Sequence, residues 1–206
     1  AKVPVGVHLD HCSDLEMMRY AIDAGFTSVM YDGSHYPFEE NVRESQAVVR
    51  AAHAVGVSVE CELGAISGVE DGISHSNTNL VDLDEVKRFI AVVDCDALAV
   101  GIGNAHGIYK GTPNLDFGRL EACRKLGAPP LVLHGGSGIP EEMIKKAISL
   151  GISKINVNVA TEVRLAFMEG LESAVGSRDI YKMYQAAKAG TIALARTKIR
   201  MFQNKE

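Results

Sequence analysis

The chain has no tryptophan, no Cys-x-x-Cys pair and no cluster of basic residues among its 206 positions. It also lacks any apolar run approaching the roughly 18 residues that a spanning helix needs. No charged-then-apolar leader opens it. Each absence excludes something. With a net charge of -5 and no basic patch, neither nucleic acid nor an anionic membrane is favoured as a partner. Without metal-finger or disulfide spacing, Cys12, Cys61, Cys95 and Cys123 read as reduced thiols within strands and helices of a cytoplasmic protein. Cys12 follows a candidate metal ligand, yet a small packed side chain is the simpler reading. No Pro/Ser-rich linker or low-complexity tract divides the sequence. What remains is 47% hydrophobic and long enough for one domain with a substantial core. An initiator Met is missing too, and a strand is predicted from residue 4 onward, which reads as the interior of something longer.

Apolar, strand-like runs alternate with helical patterns. Strands are predicted near 4–9, 27–31, 57–62, 97–102, 130–134 and 154–159. Helices are predicted near 14–24, 39–55, 82–93, 115–126, 140–150, 160–175 and 180–202. Short strands that are apolar at most positions fit a parallel sheet buried on both faces, with the helices as crossovers. Ser13 is expected to cap the first helix, and Pro140 to sit in the first turn of the helix after residue 139. Segment 65–80 is the one long polar loop, a candidate lid or binding loop. Six βα units fit either an open doubly wound sheet or part of a (β/α)8 barrel.

The strand ends favour the barrel, because every one of them carries polar or ionisable groups. An open sheet concentrates such groups at one switch point, whereas a barrel gathers them around one mouth. His11, His106 and His134 each follow an apolar run. Three neutral imidazoles converging on one point can hold a catalytic metal and leave a coordination position open. Asp10 precedes His11 and would point the other way along a regular strand, unless the strand ends there. It is a candidate proton donor or acceptor, or a hydrogen-bond partner of a ligating imidazole. Asp32 and Glu62 can bind a second cation position or orient the histidines. The run His134-Gly-Gly-Ser-Gly-Ile-Pro140, between strand and helix, suits phosphate, and Lys110 can add a point charge. Asn156 and Asn158 alternate, so both face the same side. His8 reads as barrel interior, His35 as surface loop, and His53 and His75 carry no assigned role.

These residues carry a resemblance. HLDH (8–11), AGFTSVMYDGSHYPFEENV (24–42), VSVECELG (57–64), GVEDG (68–72), NAHGIYKGTP (104–113), LVLHGGSGIP (131–140) and KINVNVATE (154–162) resemble, in order, the class II metal-dependent ketose-bisphosphate aldolases. The resemblance implies an α/β fold, a (β/α)8 TIM barrel here lacking its first two βα units. It implies zinc and reversible cleavage of fructose 1,6-bisphosphate to dihydroxyacetone phosphate and glyceraldehyde 3-phosphate. By motif position it implies His11, His106 and His134 as zinc ligands, with Asp32 and Glu62 at an alternative metal position. Asp10 matches the carboxylate that moves the C4 hydroxyl proton. Glu70, in GVEDG, matches the acid/base acting on C1 of dihydroxyacetone phosphate. Gly107, Lys110, Gly135 and Ser137 match phosphate-site positions, some of which in the family also bind a monovalent cation. Asn-Val-Ala-Thr, ending at Thr161, matches a substrate-binding pattern, and the two residues before it leave Asn156 and Asn158 as alternatives. The resemblance further implies a homo-oligomer, dimeric or tetrameric at full length. No Schiff-base lysine is required, and no lysine except Lys110 lies at a predicted strand end. A tagatose 1,6-bisphosphate enzyme fits nearly as well, since the two sugars differ only at C4. A barrel fragment that binds metal and phosphate without turnover is the alternative from another class. A metal-dependent hydrolase fits less well, because Glu70 and the phosphate segments suit an aldol intermediate better.

Overall fold

The computed structural model describes residues 2–70, 73–75, 80–107, 109, 111–157 and 162–203, with only the backbone at 67–70 and 73–75. The chain runs β1 (His8–Cys12), α1 (Leu15–Asp23), β2 (Ser28–Tyr31), α2 (Phe38–His53) and β3 (Ser58–Leu63). A hairpin follows, β4 (Ser67–Glu70) and β5 (Ile73–His75), then α3 (Leu83–Ile90), β6 (Ala97–Val100) and the short β7 (Ala105–His106). The rest is α4 (Phe117–Lys125), β8 (Leu131–Leu133), α5 (Glu141–Ser149), β9 (Ile152–Ile155), α6 (Arg164–Glu172) and α7 (Ile180–Phe202). β1, β2, β3, β6, β8 and β9 lie side by side in that order, every pair parallel. This is a parallel half-barrel, an incomplete TIM barrel with its helices on the outer face. No helix among the described residues is long and apolar enough to cross a membrane.

Strand parity sorts the side chains into two layers. Val29, Tyr31, Val59, Cys61, Leu98, Val100, Leu131 and Leu133 face outward and join the large core under the helices. Their neighbours in sequence face inward, where Met30, Ala99 and Val132 form a small apolar cluster. The inner face otherwise carries ionisable groups, Glu60 and Glu62 among them, both buried. Side chains alternate across a strand, so the apolar strands of this chain carry a dry outer face and an inner one that holds ionisable groups.

The structure departs from the sequence reading at several places. β1 begins at His8 rather than residue 4, and Val3, Val5 and Val7 are exposed. An apolar run makes a strand only where a neighbour pairs with it, and β1 is an edge of the arc. β9 spans Ile152–Ile155, earlier than expected. Segment 65–80 is not one loop. β4 and β5 pair antiparallel, and β4 also runs parallel to β7, placing Gly68 opposite His106. Backbone pairing in a Gly- and Ser-rich stretch leaves no hydrophobic period to read. Asp14, not Ser13, caps α1, its Oδ1 accepting from the N–H groups of Glu16 (2.8 Å) and Met17 (3.2 Å). A carboxylate there also meets the positive end of the helix. Pro140 lies at the cap position of α5, one residue before its first turn.

Candidate metal and substrate site

β1, the short β7 that follows β6, and the end of β8 bring His11, His106 and His134 together. Ring centroids are 4.8 Å apart for His11 and His106, 4.5 Å for His11 and His134, and 5.7 Å for His106 and His134. The three can offer ligand atoms within 4.8 Å of one another, as can His11 with Asp32 and Glu62.

A backbone irregularity makes the first of these positions. β1 pairs with β2 as Leu9 opposite Val29 and then Cys12 opposite Tyr31, so Asp10 and His11 together stand opposite Met30. This is a β-bulge, and His11 adopts a left-handed φ of 41° within it. Such a conformation costs a non-glycine residue roughly 1–3 kcal/mol. The bulge lets adjacent residues serve one mouth. Asp10 meets the side-chain amide of Asn156, which donates to its Oδ2 at 3.1 Å, while His11 reaches Asp32 and His134. The adjacency problem posed by the sequence is thereby settled by two residues opposing one.

Two of the imidazoles are oriented by carboxylates. His11 Nδ1 lies 2.9 Å from Asp32 Oδ2, leaving Nε2 facing His134 Nδ1 at 2.8 Å. His134 Nε2 lies 2.8 Å from Glu60 Oε1. Asn104, wholly buried, accepts from the Ile102 N–H (3.0 Å) and donates to the His134 carbonyl (3.1 Å), which ties the end of β6 to that of β8. Tyr109 Oη accepts from the Ala105 N–H (2.9 Å) and donates to the Gly135 carbonyl (3.0 Å), clasping the two loops that carry His106 and His134.

The charges follow from these contacts. Burial works against ionisation of Asp32, but the His11 and Ser34 hydrogen bonds outweigh it and hold the carboxyl far below its usual range. Asp10 is likewise held low against burial by the His8 hydrogen bond and by the positive charges of His11 and Lys154. Burial also opposes the charged form of His11, yet the Asp32 hydrogen bond and the negative Asp10 and Asp32 raise it to about 9. Burial pushes His134 down, so its ring is neutral. Burial and the nearby Asp32 push Glu62 well up. Glu62 Oε2 is buried with no hydrogen-bond partner among the described residues, an orphaned acceptor aimed at the cluster's edge.

These donors fit a divalent cation. Two ring nitrogens face each other, a third imidazole stands beside them, and two carboxylates lie on the second side. Imidazole with carboxylate is a donor set that suits zinc. Two ligands of tetrahedral zinc are separated by ~3.3 Å, from Zn–N distances of ~2.05 Å, so His11 and His134 need only part slightly.

Beside the histidines is an open cavity of about 300 Å³ lined by Gly107, Tyr109, Ser137, Gly138 and Glu162. Ser137 is buried. Gly135 has φ 65°, and a Cβ there would collide with the Ala105 carbonyl oxygen. The Gly138 N–H donates to Glu162 Oε1 at 3.0 Å, so this turn already satisfies an anionic oxygen. Lys198 from α7 pairs with the other oxygen of Glu162 at 2.6 Å.

The structure thus brings Asp10, His11, Asp32, Glu62, His106, His134 and Asn156 to one mouth, with Gly107, Gly135 and Ser137 next to it. Glu70 ends β4, and its side chain lies outside what the structure describes. Lys110, Asn158 and Thr161 lie outside the described residues. His8 faces inward, with Nδ1 2.8 Å from Ser28 Oγ. His35 stacks against Tyr36, and His53 pairs with Asp96 at 2.8 Å. Sequence reasoning missed Lys154. It was placed at the start of its strand, whereas it is the third residue of a strand ending at Ile155, and its Nζ binds Glu60 Oε2 at 2.7 Å. It also missed the role of Tyr109, for which the only local signal is its place between two glycines after His106.

Comparison with known proteins gives the family. The model of the family "Fructose-bisphosphate aldolase class-II" matches residues 1–206. The chain belongs to the class II fructose-bisphosphate aldolase family. A fructose-bisphosphate aldolase of Geobacillus stearothermophilus is 53% identical over 169 residues, 82% of this chain and 58% of the relative. A 6-phospho-5-dehydro-2-deoxy-D-gluconate aldolase of Halalkalibacterium halodurans is 44% identical over 205 residues, 98% of this chain and 70% of that protein. The crystal structure of the YdjI aldolase from Escherichia coli K12 superposes with a TM-score of 0.84 at 37% identity, covering 98% of this chain and 70% of that one. This family member therefore spans about three-fifths of the length of the first of these relatives.

Proposed function

We propose that the protein performs metal-dependent aldol cleavage and condensation, with fructose 1,6-bisphosphate as substrate and zinc as the metal. The observation that carries the proposal is the convergence of three imidazoles with Asp10, presented beside one of them by the β1 bulge. His11 through Nε2, His134 through Nδ1, and His106 would hold the ion, and Asp32 and Glu62 would offer the alternative position. When bound, zinc supplies Lewis-acid stabilisation of negative charge on the ketose oxygens.

The chain's own residues do the rest. The Asp10 carboxylate, ionised and steadied by Asn156, takes the proton from the C4 hydroxyl as the C3–C4 bond breaks. The bonding pair stays with C3, the aldehyde departs, and a proton returned to that carbon completes dihydroxyacetone phosphate. Glu70 is assigned that second proton. Pairing of its strand alongside β7 supports the assignment, since this carries the β4–β5 hairpin next to His106. Gly107, Gly135 and Ser137, with Lys110, are assigned to phosphate, supported by the cavity at their side and by the anion-accepting turn at Gly138. Asn158 and Thr161 are assigned to the substrate's hydroxyl and phosphate edge. Closure of the hairpin would exclude water from the reacting carbon.

A second substrate has a specific observation in its favour, the deoxygluconate aldolase that aligns over 98% of this chain. A 5-keto, 6-phospho, 2-deoxy hexonate also releases dihydroxyacetone phosphate on retro-aldol cleavage, with a carboxylate rather than a phosphate on the other fragment. The test compares kcat/KM of the zinc-loaded protein on fructose 1,6-bisphosphate, tagatose 1,6-bisphosphate and the deoxygluconate phosphate, before and after chelation. The highest value on fructose 1,6-bisphosphate, lost on chelation and restored by zinc, is expected. Activity that survives complete metal removal overturns the mechanism, and a higher value on either other sugar overturns the substrate.

A further inference from the structure

The barrel interior behind the histidines holds a second group of charges that the reaction above does not use. Glu60 projects inward from the middle of β3 and is only 2% exposed, close to the apolar layer of Met30, Ala99 and Val132. Its Oε1 meets His134 Nε2 at 2.8 Å, and its Oε2 meets Lys154 Nζ at 2.7 Å with His8 Nε2 further off at 3.8 Å. Lys154 Nζ in turn lies 3.4 Å from His8 Nε2, and His8 Nε2 lies 3.5 Å from Asp10 Oδ1. The group therefore spans β3, β9 and β1 and ends on two of the residues assigned to the reaction.

A carboxylate and an ammonium in such a place add little stability, because desolvation offsets most of their attraction and apolar residues of similar size would pack as well. Their placement has a different consequence. An imidazole offers a metal one nitrogen only if the other carries the proton. Glu60 accepts at Nε2, which fixes the proton there and leaves the lone pair on Nδ1, the atom that faces His11. Asn156 Nδ2 also lies 3.2 Å from Nδ1 and favours the lone pair there, but that amide is shared with Asp10, so losing the acceptor at Nε2 removes the group that holds the proton on the far side of the ring from the ion. Lys154 keeps the Glu60 carboxylate turned toward His134 instead of toward the mouth.

We propose that Glu60 and Lys154 are positioning residues that set the tautomer of His134, so that Nδ1 is the atom it presents to the metal. The proposal rests on the metal-centre reading above. Glu60 acts on His134 directly, and Lys154 acts through Glu60. Carboxylates behind a ligating imidazole typically contribute 10–100-fold to metal affinity.

The experiment is a cobalt titration followed by visible absorption, with the nitrogen-15 shifts of the His134 ring measured on the metal-free protein. Four proteins are compared: wild type, Glu60→Leu, Glu60→Gln and Lys154→Met. Wild type is expected to bind one cobalt tightly and to show the Nε2–H tautomer. Glu60→Leu is expected to lose roughly 10–100-fold in affinity and to show mixed tautomers. Glu60→Gln keeps an acceptor and keeps the tautomer, with an affinity loss of no more than about tenfold. Should Glu60→Leu not fold, Glu60→Gln and Lys154→Met carry the test, and Lys154→Met is expected to weaken cobalt about tenfold. Cobalt binding unchanged from wild type in Glu60→Leu, or in Lys154→Met should Glu60→Leu not fold, overturns the proposal and leaves the metal centre standing. Failure of the wild type to bind cobalt overturns the metal centre itself, and this proposal with it.

Discussion

Raising the pH on the metal-free protein should weaken it, through one histidine. His11 has its ring raised from 6.5 to about 9, against the opposing effect of burial, by Asp32 and the surrounding carboxylates. A group whose folded value lies above its unfolded one stabilises fully below the unfolded value and loses that stabilisation as pH rises through the folded one. The window here is therefore from about 6.5 to about 9. Between about pH 7.5 and about pH 9.5 the loss comes to about 2 kcal/mol, at 1.36 kcal/mol for each unit of displacement. The ring is only 13% exposed, so solvent screening takes little from that figure. For a chain of this length the loss corresponds to a Tm fall of roughly 4–8 °C. Asp10 and Asp32, held low, act at acidic pH, His134, pushed down, acts below the window, and Glu62, pushed well up by burial, adds a loss of its own on raising the pH that a His11 variant retains. The comparison variant is His11→Asn, since Asn tolerates the left-handed φ and does not titrate. Calorimetry with excess chelator on both proteins isolates the contribution of His11. If wild type and His11→Asn lose the same stability across the window, the ion pair with Asp32 is not what the geometry indicates.

Other outcomes follow from the same contacts. Asp10→Asn should lower kcat by roughly 10²–10⁴-fold with cobalt or zinc affinity little changed, and a kcat within threefold of wild type would remove Asp10 from proton transfer. Gly135→Ala should destabilise by roughly 2 kcal/mol or more, since it joins left-handed strain to a collision with the Ala105 carbonyl, and urea unfolding measures it. Tyr109→Phe leaves the Ala105 N–H and the Gly135 carbonyl without their shared partner, so a loss of about 1–3 kcal/mol is expected by the same assay. Phe89→Ala, at a wholly buried site under the sheet, should cost about 3–5 kcal/mol without altering the ratio of kcat/KM values between substrates.

By itself the sequence determined the alternation of strand and helix, the parallel sheet, and the polar strand ends that distinguish a barrel from an open sheet. Apolar runs such as Leu98–Val100 and Leu131–Leu133 were legible because burial on both faces leaves no polar position inside them. His11, His106 and His134 were legible for the complementary reason: each interrupts the apolar pattern where the chain turns toward solvent. Tertiary structure alone decided which nitrogen of His11 and of His134 faces the cluster, because that depends on Asp32 and Glu60, residues 21 and 74 positions away along the chain. It alone brought Asp10 and His11 to one mouth, since a bulge is a mismatch between two strands and leaves no mark within one of them. It alone paired Lys154 with Glu60 and β4 with β7. Periodicity records which side chains avoid water, whereas hydrogen-bond partners are chosen by whatever the fold brings within 3 Å, and that choice is made across the sheet rather than along the chain.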